Sequence, residues 1–218
     1  MKRLSTFLTI ALVMAVPMLV VAQEQAAEEK DALEVGIRGG LGVPVGGITS
    51  WNDSLGAKVG WNVGFEVGYF LTREMVLGLG FSFNEFDIES NTASLDIKHR
   101  LYTPKLYLKR YFFGESNWVP YVKVYAGLDF PKFATFVVDQ GVGKFRQLSY
   151  KPGVAAGLGA GVFYYTSDYG GLFAEAEFQH GFTKDVSKTW GGTRYVFGES
   201  SSALEVRAGI NVFFGSGQ

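Results

Sequence analysis

The sequence predicts an all-β fold: an eight-stranded antiparallel up-and-down transmembrane β-barrel, preceded by a cleavable signal peptide. Three observations lead to this fold. Apolar residues alternate with small or polar ones in eight segments of about ten residues, the length that a tilted strand needs to cross a bilayer. The connections between these segments are alternately long and short. The chain also begins with a segment that has the order of an export signal.

The first 22 residues have a charged start, an apolar run over residues 7–21 and a small residue, Ala22, which is the order of a signal peptide. The alternative is an uncleaved membrane anchor, which Pro17 and the cleavage-like Ala22 disfavour. Cleavage after Ala22 leaves 218 − 22 = 196 residues. The predicted parts of the chain are a signal peptide (1–22), a polar periplasmic leader (23–32), the barrel (33–214) and a short tail (215–218).

The first four predicted strands each have one apolar face, because successive side chains of a strand point to opposite sides. These faces are formed in turn by Val35, Ile37, Leu41 and Val43; by Val59, Trp61, Val63, Phe65, Val67 and Tyr69; by Leu77, Leu79, Phe81 and Phe83; and by Tyr102, Pro104, Leu106 and Leu108. Pro104 lacks the N–H that a ladder needs, so we expect a bulge or a local irregularity there.

The last four predicted strands repeat the pattern. Their apolar faces are formed by Pro120, Val122, Val124, Ala126 and Leu128; by Val154, Ala156, Leu158, Ala160 and Val162; by Leu172, Ala174, Ala176 and Phe178; and by Leu204, Val206, Ala208, Ile210, Val212 and Phe214. No second layer is available to cover these faces, so we expect them to contact lipid. The alternative is a soluble lipocalin-like barrel with the apolar face inside, which Trp61 and its many aromatic neighbours would overcrowd.

The lengths of the connections predict the orientation of the barrel. Long connections follow the first, third, fifth and seventh strands, at residues 44–57, 87–96, 129–149 and 181–201. Outer-membrane barrels have short periplasmic turns and longer external loops, which would leave both termini in the periplasm. Rings at the strand ends predict aromatic belts: Tyr69, Phe112, Trp118, Tyr164 and Phe214 at the periplasmic end, and Trp61, Phe83, Tyr102 and Phe178 at the outer end.

The polar faces of the predicted strands carry a set of charges that would point into the lumen. They are Glu34, Arg38, Glu66, Lys105, Lys109, Lys123, Glu175, Glu177, Glu205 and Arg207. Because buried charges must be paired, a salt-bridge network that plugs a narrow barrel is the first interpretation. A narrow or gated polar path is the alternative. We expect the three lysines either to reach Glu175 or Glu177 across the lumen or to leave a wet patch that attracts anions.

Composition excludes several functions. The net charge of −1 disfavours nucleic-acid binding, and the absence of cysteine excludes disulfides and a cysteine nucleophile. The two histidines, His99 and His180, argue against a metal site, although a histidine at the outer rim could serve an acyltransferase or a protease. Glu175 and Glu177 have a spacing that a general acid and base could use, but lumen filling explains them more simply. We predict no catalytic residue and no cofactor.

Three segments resemble the eight-stranded outer-membrane barrels of the OmpA transmembrane domain and OmpX type: residues 120–127, residues 172–178 and the last strand. The last strand is similar to the insertion signal of that family, with Arg207, Gly209, Val212 and Phe214 in its polar, glycine, hydrophobic and terminal aromatic positions. The resemblance implies export to the outer membrane of a Gram-negative bacterium, with delivery by periplasmic chaperones and insertion by the barrel-assembly machinery. The tail after Phe214 departs from the family pattern.

We therefore expect a non-enzymatic outer-membrane β-barrel protein with a charge-filled lumen, whose external loops have structural or adhesion and interaction roles. One alternative is a small porin-like channel for a narrow polar or anionic solute, and another is an enzyme at the rim of the outer leaflet. The expected partners are outer-membrane lipid, lipopolysaccharide and an external ligand bound by the long loops, but no nucleic acid.

Overall fold

The predicted strands are present in the computed structural model, which describes residues 33–45, 55–90, 97–133, 152–167, 169–182, 186–190, 193–197 and 201–214. The predicted signal peptide, leader and tail lie outside the described residues. In the described part of the chain, no helix is long and apolar enough to span a membrane.

Ten strands occur in the described residues, and eight of them form a closed barrel. The barrel strands are β1 (Leu33–Val45), β2 (Leu55–Phe70), β3 (Met75–Ser90), β4 (Ile97–Tyr111), β5 (Trp118–Phe133), β6 (Gly153–Ser167), β7 (Gly170–Phe182) and β10 (Ser201–Phe214). The other two, β8 (Val186–Trp190) and β9 (Thr193–Phe197), pair with each other as a separate hairpin. The predicted eight-stranded antiparallel barrel is confirmed.

The barrel closes between its first and last strands. Residues of β1 pair antiparallel with β10 in an unbroken register from Leu33 opposite Phe214 to Val45 opposite Ser202. Such closure is required in hydrocarbon, where the N–H and C=O groups of an open sheet edge would have no partner. The first and last strands are therefore neighbours, as a closed up-and-down barrel requires.

The strands are longer than the sequence predicts, with 16 residues in β2, β3 and β5. Parts of the predicted loops 44–57, 87–96, 129–149 and 181–201 are strand, and the last of them contains the β8–β9 hairpin. Alternation of apolar residues is needed only where a strand contacts lipid. Beyond the bilayer, backbone pairing continues without that pattern, so the sequence signal ends before the strand does.

Pro104 is accommodated without a bulge. On its β5 side, Tyr102 opposite Phe130 and Lys105 opposite Gly127 belong to one register, and the ladder omits only the two residues between them. A proline without an N–H can be passed over in this way because no extra residue has to be inserted. The predicted local irregularity at Pro104 is therefore present as a gap in the ladder and not as a bulge, and the register shifts are between Ala57 and Gly60 and between Tyr165 and Ser167.

The two faces of the barrel differ as the alternation requires. The outward face exposes large apolar side chains such as Leu79, Leu158 and Ile37, whereas the inward face holds buried polar, charged and aromatic residues. The inward position of the charges contradicts the lipocalin-like alternative. Rings of the predicted periplasmic belt, including Trp118 and Phe214, are exposed on the outer surface, which is the position of a membrane-interface anchor.

Candidate functional site

The candidate site is the interior of the barrel, where the ten charged residues singled out in the sequence all lie. None of them is more than 5% exposed. They comprise five carboxylates and five cations, so their formal charges cancel. They come from β1, β2, β4, β5, β7 and β10, six of the eight barrel strands.

Lys123 is at the centre of this network. Its ammonium lies 3.2 Å from a carboxylate oxygen of Glu66, 3.0 Å from one of Glu175 and 2.7 Å from one of Glu177. Arg38 joins two of the same acids, since it pairs with Glu66 and lies 2.6 Å from Glu175. A central cation surrounded by three acids links β5 to β2 and β7 across the lumen.

Arg207 organises the side of the network toward the long connections. Its Nε lies 3.1 Å from Glu175, its Nη1 lies 2.9 Å from Glu205, and its Nη2 pairs with Glu177. Lys105 donates to Glu177 at 2.8 Å, and its ammonium lies 4.2 Å from the centre of the Tyr125 ring. Each acid is therefore held by at least one cation, the condition under which buried charges are tolerated.

Lys109 has a different partner from the one that the sequence predicts. It pairs with Glu34 near the end of the barrel that has the short turns, not with Glu175 or Glu177. Glu34 also accepts hydrogen bonds from the Tyr111 hydroxyl at 3.0 Å and from the Asn211 amide at 2.8 Å. The expectation for Lys109 is wrong. The pairing of β1 with β10 closes the barrel, and in the closed barrel the Glu34 side chain lies in the lumen close to Lys109.

A hydrophobic cluster, made mostly of rings, fills the end of the lumen that is close to the short turns. The ring centre of Phe163 lies 5.4 Å from that of Phe213 and 6.3 Å from that of Tyr111, and the Tyr111 and Tyr121 ring centres are 5.5 Å apart. The buried members of the cluster are Val76, Tyr107, Tyr111, Val119, Tyr121, Tyr125, Phe163, Phe173 and Phe213. This aromatic cluster and the ion pairs next to it occupy the interior of the barrel between the turns and its middle.

Polar side chains occupy the other half of the lumen, toward the long connections. Asp129 accepts hydrogen bonds from Thr103 at 2.6 Å and from Gln179 at 3.0 Å. On β2 and β3, the amides of Asn62 and Asn84 and the hydroxyl of Ser82 are buried and have no hydrogen-bond partner among the described residues. Unsatisfied buried polar groups of this kind are where ordered water binds, so this half of the interior is polar but does not carry the main charge network.

The two histidines are apart from the charge network. His99 is buried and stacks on Phe86 with 6.2 Å between ring centres. His180 faces outward near the C-terminal end of β7, and its Nδ1 lies 2.7 Å from the hydroxyl of Ser202 on β10. A histidine beside a serine could activate it as a nucleophile, but no carboxylate bound to His180 is found among the described residues, and Ser202 is buried. Within the same residues, no cluster of potential metal ligands is present.

Sequence reasoning missed the hydroxyl and amide groups that complete the network. Besides the Glu34 contacts, the Tyr121 hydroxyl donates to Glu175 at 3.0 Å. The signal that could have found them is strand parity, because Tyr111, Tyr121 and Asn211 have the same inward parity as Lys109, Lys123 and Arg207.

Comparison with known proteins agrees with this geometry. A family model described as "Outer membrane protein beta-barrel domain" matches residues 9–164. The fold is similar to the crystal structure of Neisserial surface protein A, with 17% identity, a TM-score of 0.54 and coverage of 83% of this chain and 97% of that one. It is also similar to a major outer membrane protein from Thermus thermophilus, with 10% identity, a TM-score of 0.53 and coverage of 84% and 99%.

A third similar structure is the outer membrane protein OprG from Pseudomonas aeruginosa, with 11% identity, a TM-score of 0.52 and coverage of 88% of this chain and 99% of that one. No curated protein sequence matches the chain. At these identities the likeness extends to the fold alone.

Proposed function

The chain belongs to the outer membrane protein β-barrel domain family, and from that premise we propose that it is a non-enzymatic outer-membrane barrel with a plugged lumen, which displays its external loops for structural or adhesion and interaction roles. Its resemblance to outer-membrane barrels of the OmpA and OmpX type is confirmed. The protein accordingly lies in the bacterial outer membrane. The observation that carries the plugged lumen is the set of three ion pairs around Lys123.

A lumen of this kind resists the passage of ions for two reasons. Any solute would have to separate ion pairs whose residues are at most 5% exposed, which leaves buried charges without partners. It would then have to pass the aromatic cluster, whose ring centres are 5.4–6.3 Å apart. The network thus supports a structural role for the interior and leaves recognition to the external surface.

Planar-bilayer recording of the purified protein tests the plugged lumen. We expect no steady conductance at neutral pH, because the ion pairs and rings leave no continuous polar path. The variant Lys123→Met, which removes the central cation, provides the comparison. A large, steady conductance of the wild-type protein that prefers anions and falls on neutralising Lys105, Lys109 and Lys123 would contradict the proposal and favour the small-channel alternative.

The rim enzyme is the other candidate, and the contact between His180 and Ser202 is the one observation that favours it. Incubation with phospholipid vesicles separates it from the leading proposal. We expect the wild-type protein to release no fatty acid. Release that disappears in Ser202→Ala would show that the barrel is an enzyme.

We further propose that the chain is exported by residues 1–22, that both termini lie in the periplasm, and that the barrel-assembly machinery reads Arg207, Gly209, Val212 and Phe214 after periplasmic chaperones deliver the chain. Phe214 is 53% exposed on the outside of the barrel, so it adds little to the lumen packing. Phe214→Ala should therefore reduce the amount of barrel inserted in cells while leaving the ion pairs and ring contacts of the refolded lumen unchanged. Equal insertion of the variant and the wild type would contradict the role of this strand as a signal.

A further inference from the structure

Two side-chain nitrogens from opposite walls of the barrel meet at one carboxylate. Lys109 of β4 and Asn211 of β10 both donate to the same oxygen, Oε1 of Glu34 on β1, and the amide does so at 2.8 Å. The Tyr111 hydroxyl lies 3.4 Å from the Lys109 ammonium and 3.4 Å from the Asn211 amide nitrogen. This hydroxyl also donates to the other oxygen of Glu34 at 3.0 Å. An amine nitrogen and an amide nitrogen are therefore held side by side by two shared partners.

The place where these four side chains meet is shielded from water. Each of the four residues is at most 2% exposed. Three rings surround the Lys109 ammonium, with their centres 5.5 Å (Tyr107), 5.4 Å (Tyr111) and 5.3 Å (Tyr121) away. Because water is kept away from the amide carbon of Asn211, hydrolysis does not compete with attack by another nucleophile.

The Asn211 amide lies over a glycine of the neighbouring strand. Gly36 of β1 is the register partner of Asn211, and a Cβ added at Gly36 would overlap the amide oxygen. This oxygen, Asn211 Oδ1, is buried and has no hydrogen-bond partner among the described residues. Buried side-chain amides usually have both ends bonded, whereas here only the nitrogen is held. The carbonyl group is thus left open to a reaction at its carbon.

We propose that Lys109 and Asn211 form an isopeptide bond in the folded barrel, with Glu34 as the catalytic residue. Glu34 first takes a proton from the Lys109 ammonium, because an amine attacks only in its neutral form. The Lys109 Nζ atom then bonds to Cγ of Asn211, and the bond from Cγ to Nδ2 breaks. Through the oxygen that contacts both nitrogens, Glu34 carries one proton from Nζ to Nδ2, which leaves as ammonia.

The atoms and charges of this reaction balance without a co-reactant. Of the hydrogens on the Lys109 ammonium, one stays on the new amide, one leaves with the ammonia and one remains on Glu34. The positive charge of Lys109 and the negative charge of Glu34 disappear together, so neither is left buried without a partner.

The reaction occurs once in each chain and changes only that chain, so it is compatible with the non-enzymatic role proposed above. It goes beyond that role because the bond would link β4 to β10 across the lumen. The last strand of the barrel would then be fixed covalently to the opposite wall, in addition to its backbone pairing with β1 and β7.

The test is tandem mass spectrometry of tryptic peptides from the full chain, produced as inclusion bodies and sampled before and after refolding in lipid vesicles. Before refolding, the peptides that contain Lys109 and Asn211 should be separate. After refolding, we expect peptide 106–110 joined to peptide 208–218 through the two side chains. The joined peptide should be about 17 Da lighter than the two together, because ammonia has been lost.

Two variants test the roles of the groups. Glu34→Gln keeps Lys109 and Asn211 but removes the carboxylate that carries protons between them, so bond formation should slow by about 100-fold or more. Asn211→Ala removes the carbonyl carbon and the leaving group, and should give no joined peptide. Far-UV circular dichroism of each refolded variant shows whether the barrel has formed.

Lys105→Arg is the matched control. Lys105 is buried on the same strand, donates to Glu177 at 2.8 Å and lies 4.2 Å from the centre of the Tyr125 ring. It differs from Lys109 in that no side-chain amide among the described residues is bound to its acid. The refolded control should therefore give the joined peptide as the wild type does.

Three results would overturn the proposal: separate peptides of full mass in the refolded wild type, a joined peptide formed at the wild-type rate in Glu34→Gln, or its equal loss in Lys105→Arg. None of them bears on the plugged lumen, which rests on the ion pairs around Lys123. Bilayer conductance remains the separate test of that proposal.

Discussion

At the scale of single residues, Glu205 and Arg207 show how the lumen charges depend on one another. The two side chains are two positions apart on β10, both buried, and Arg207 Nη1 lies 2.9 Å from Glu205. The other acids bound by Arg207 have further cations, since Glu175 and Glu177 also pair with Lys123. Among the described residues, Arg207 is the only ion-pair partner of Glu205. Removal of Arg207 therefore leaves Glu205 as the acid without a cation.

We predict that Arg207→Met lowers the free energy of unfolding by about 3–5 kcal/mol, the cost of an uncompensated buried charge. Arg207→Met combined with Glu205→Gln should recover much of that loss, because the buried carboxylate that lacked a partner is then neutral. The measurement is urea unfolding in lipid vesicles, followed by tryptophan fluorescence. Equal losses in the single and the double variant would argue against a paired interior.

At the scale of the strand, β3 and β6 leave room in the lumen, and side chains from the neighbouring strands fill it. Inward positions of β3 include Gly78 and Gly80, and those of β6 include Gly157, Gly159 and Gly161. Side chains from the neighbouring strands fill the space above these glycines. A Cβ added at Gly78 would lie 2.5 Å from the Tyr107 ring, and one at Gly157 would overlap the Tyr125 ring. Without the two glycine strands, the tyrosines and the charges of six other strands could not share one narrow lumen.

Gly161→Ala tests this arrangement. Its Cβ would lie 2.6 Å from the Tyr121 ring and 2.6 Å from the carbonyl oxygen of Ala174, so either the ring or the backbone must move. Overpacking of a filled interior costs about 1–3 kcal/mol, and we expect a loss of stability in that range.

Gly39→Ala on β1 is the control, because the nearest atom to its Cβ would be 3.6 Å away. We expect this variant to unfold at the wild-type urea concentration. A Gly161→Ala protein as stable as the control would show that Tyr121 is free to move.

Strand parity explains how much of this arrangement the sequence could predict. The side of the sheet on which Lys123 or Glu66 lies follows from the alternation of side chains along a strand. The choice of first and last strands as neighbours follows because a barrel in lipid must close. The partner of each charge follows only in part. Lys105 reaches Glu177 as expected, but Lys109 pairs with Glu34 because of the stagger between strands, which a single sequence does not define.

The ends of the strands could not be predicted from the sequence pattern either. The two strands of the β8–β9 hairpin have five residues each, too short for the alternation over about ten residues by which the barrel strands are predicted. Pro104 was easier to judge, because its missing N–H predicts a bulge or a local irregularity. The structure has the irregularity, a gap of two residues in the ladder to β5 without a change of register.

At the scale of the whole molecule, the lumen network and the seam depend on the same closure. Asn211 on β10 donates to Glu34 on β1, a contact between residues 177 positions apart in the chain. Arg38 on β1 likewise reaches Glu175 on β7. These contacts form only when the two ends of the sheet meet, so the charges inside and the hydrogen bonds at the seam stabilise each other.

A disulfide across the seam tests closure directly, and the chain has no cysteine of its own to interfere. Val35 and Val212 are register partners on β1 and β10 with side chains on the outer face. Val35→Cys with Val212→Cys should form a disulfide in the folded barrel. The bond would close a loop of about 180 residues, for which chain entropy predicts a gain of about 5 kcal/mol over the reduced form.

Val35→Cys with Val206→Cys is the matched control. Val206 is opposite Leu41, six residues along β1 from Val35, and this offset corresponds to about 20 Å along a strand. That distance is far beyond the reach of a disulfide, so the control should stay reduced on oxidation and unfold at the wild-type urea concentration. Urea unfolding of both pairs, oxidised and reduced, gives the comparison. A crosslink in the control, or no difference between the oxidised and reduced forms of the partner pair, would mean that β1 and β10 do not meet in this register.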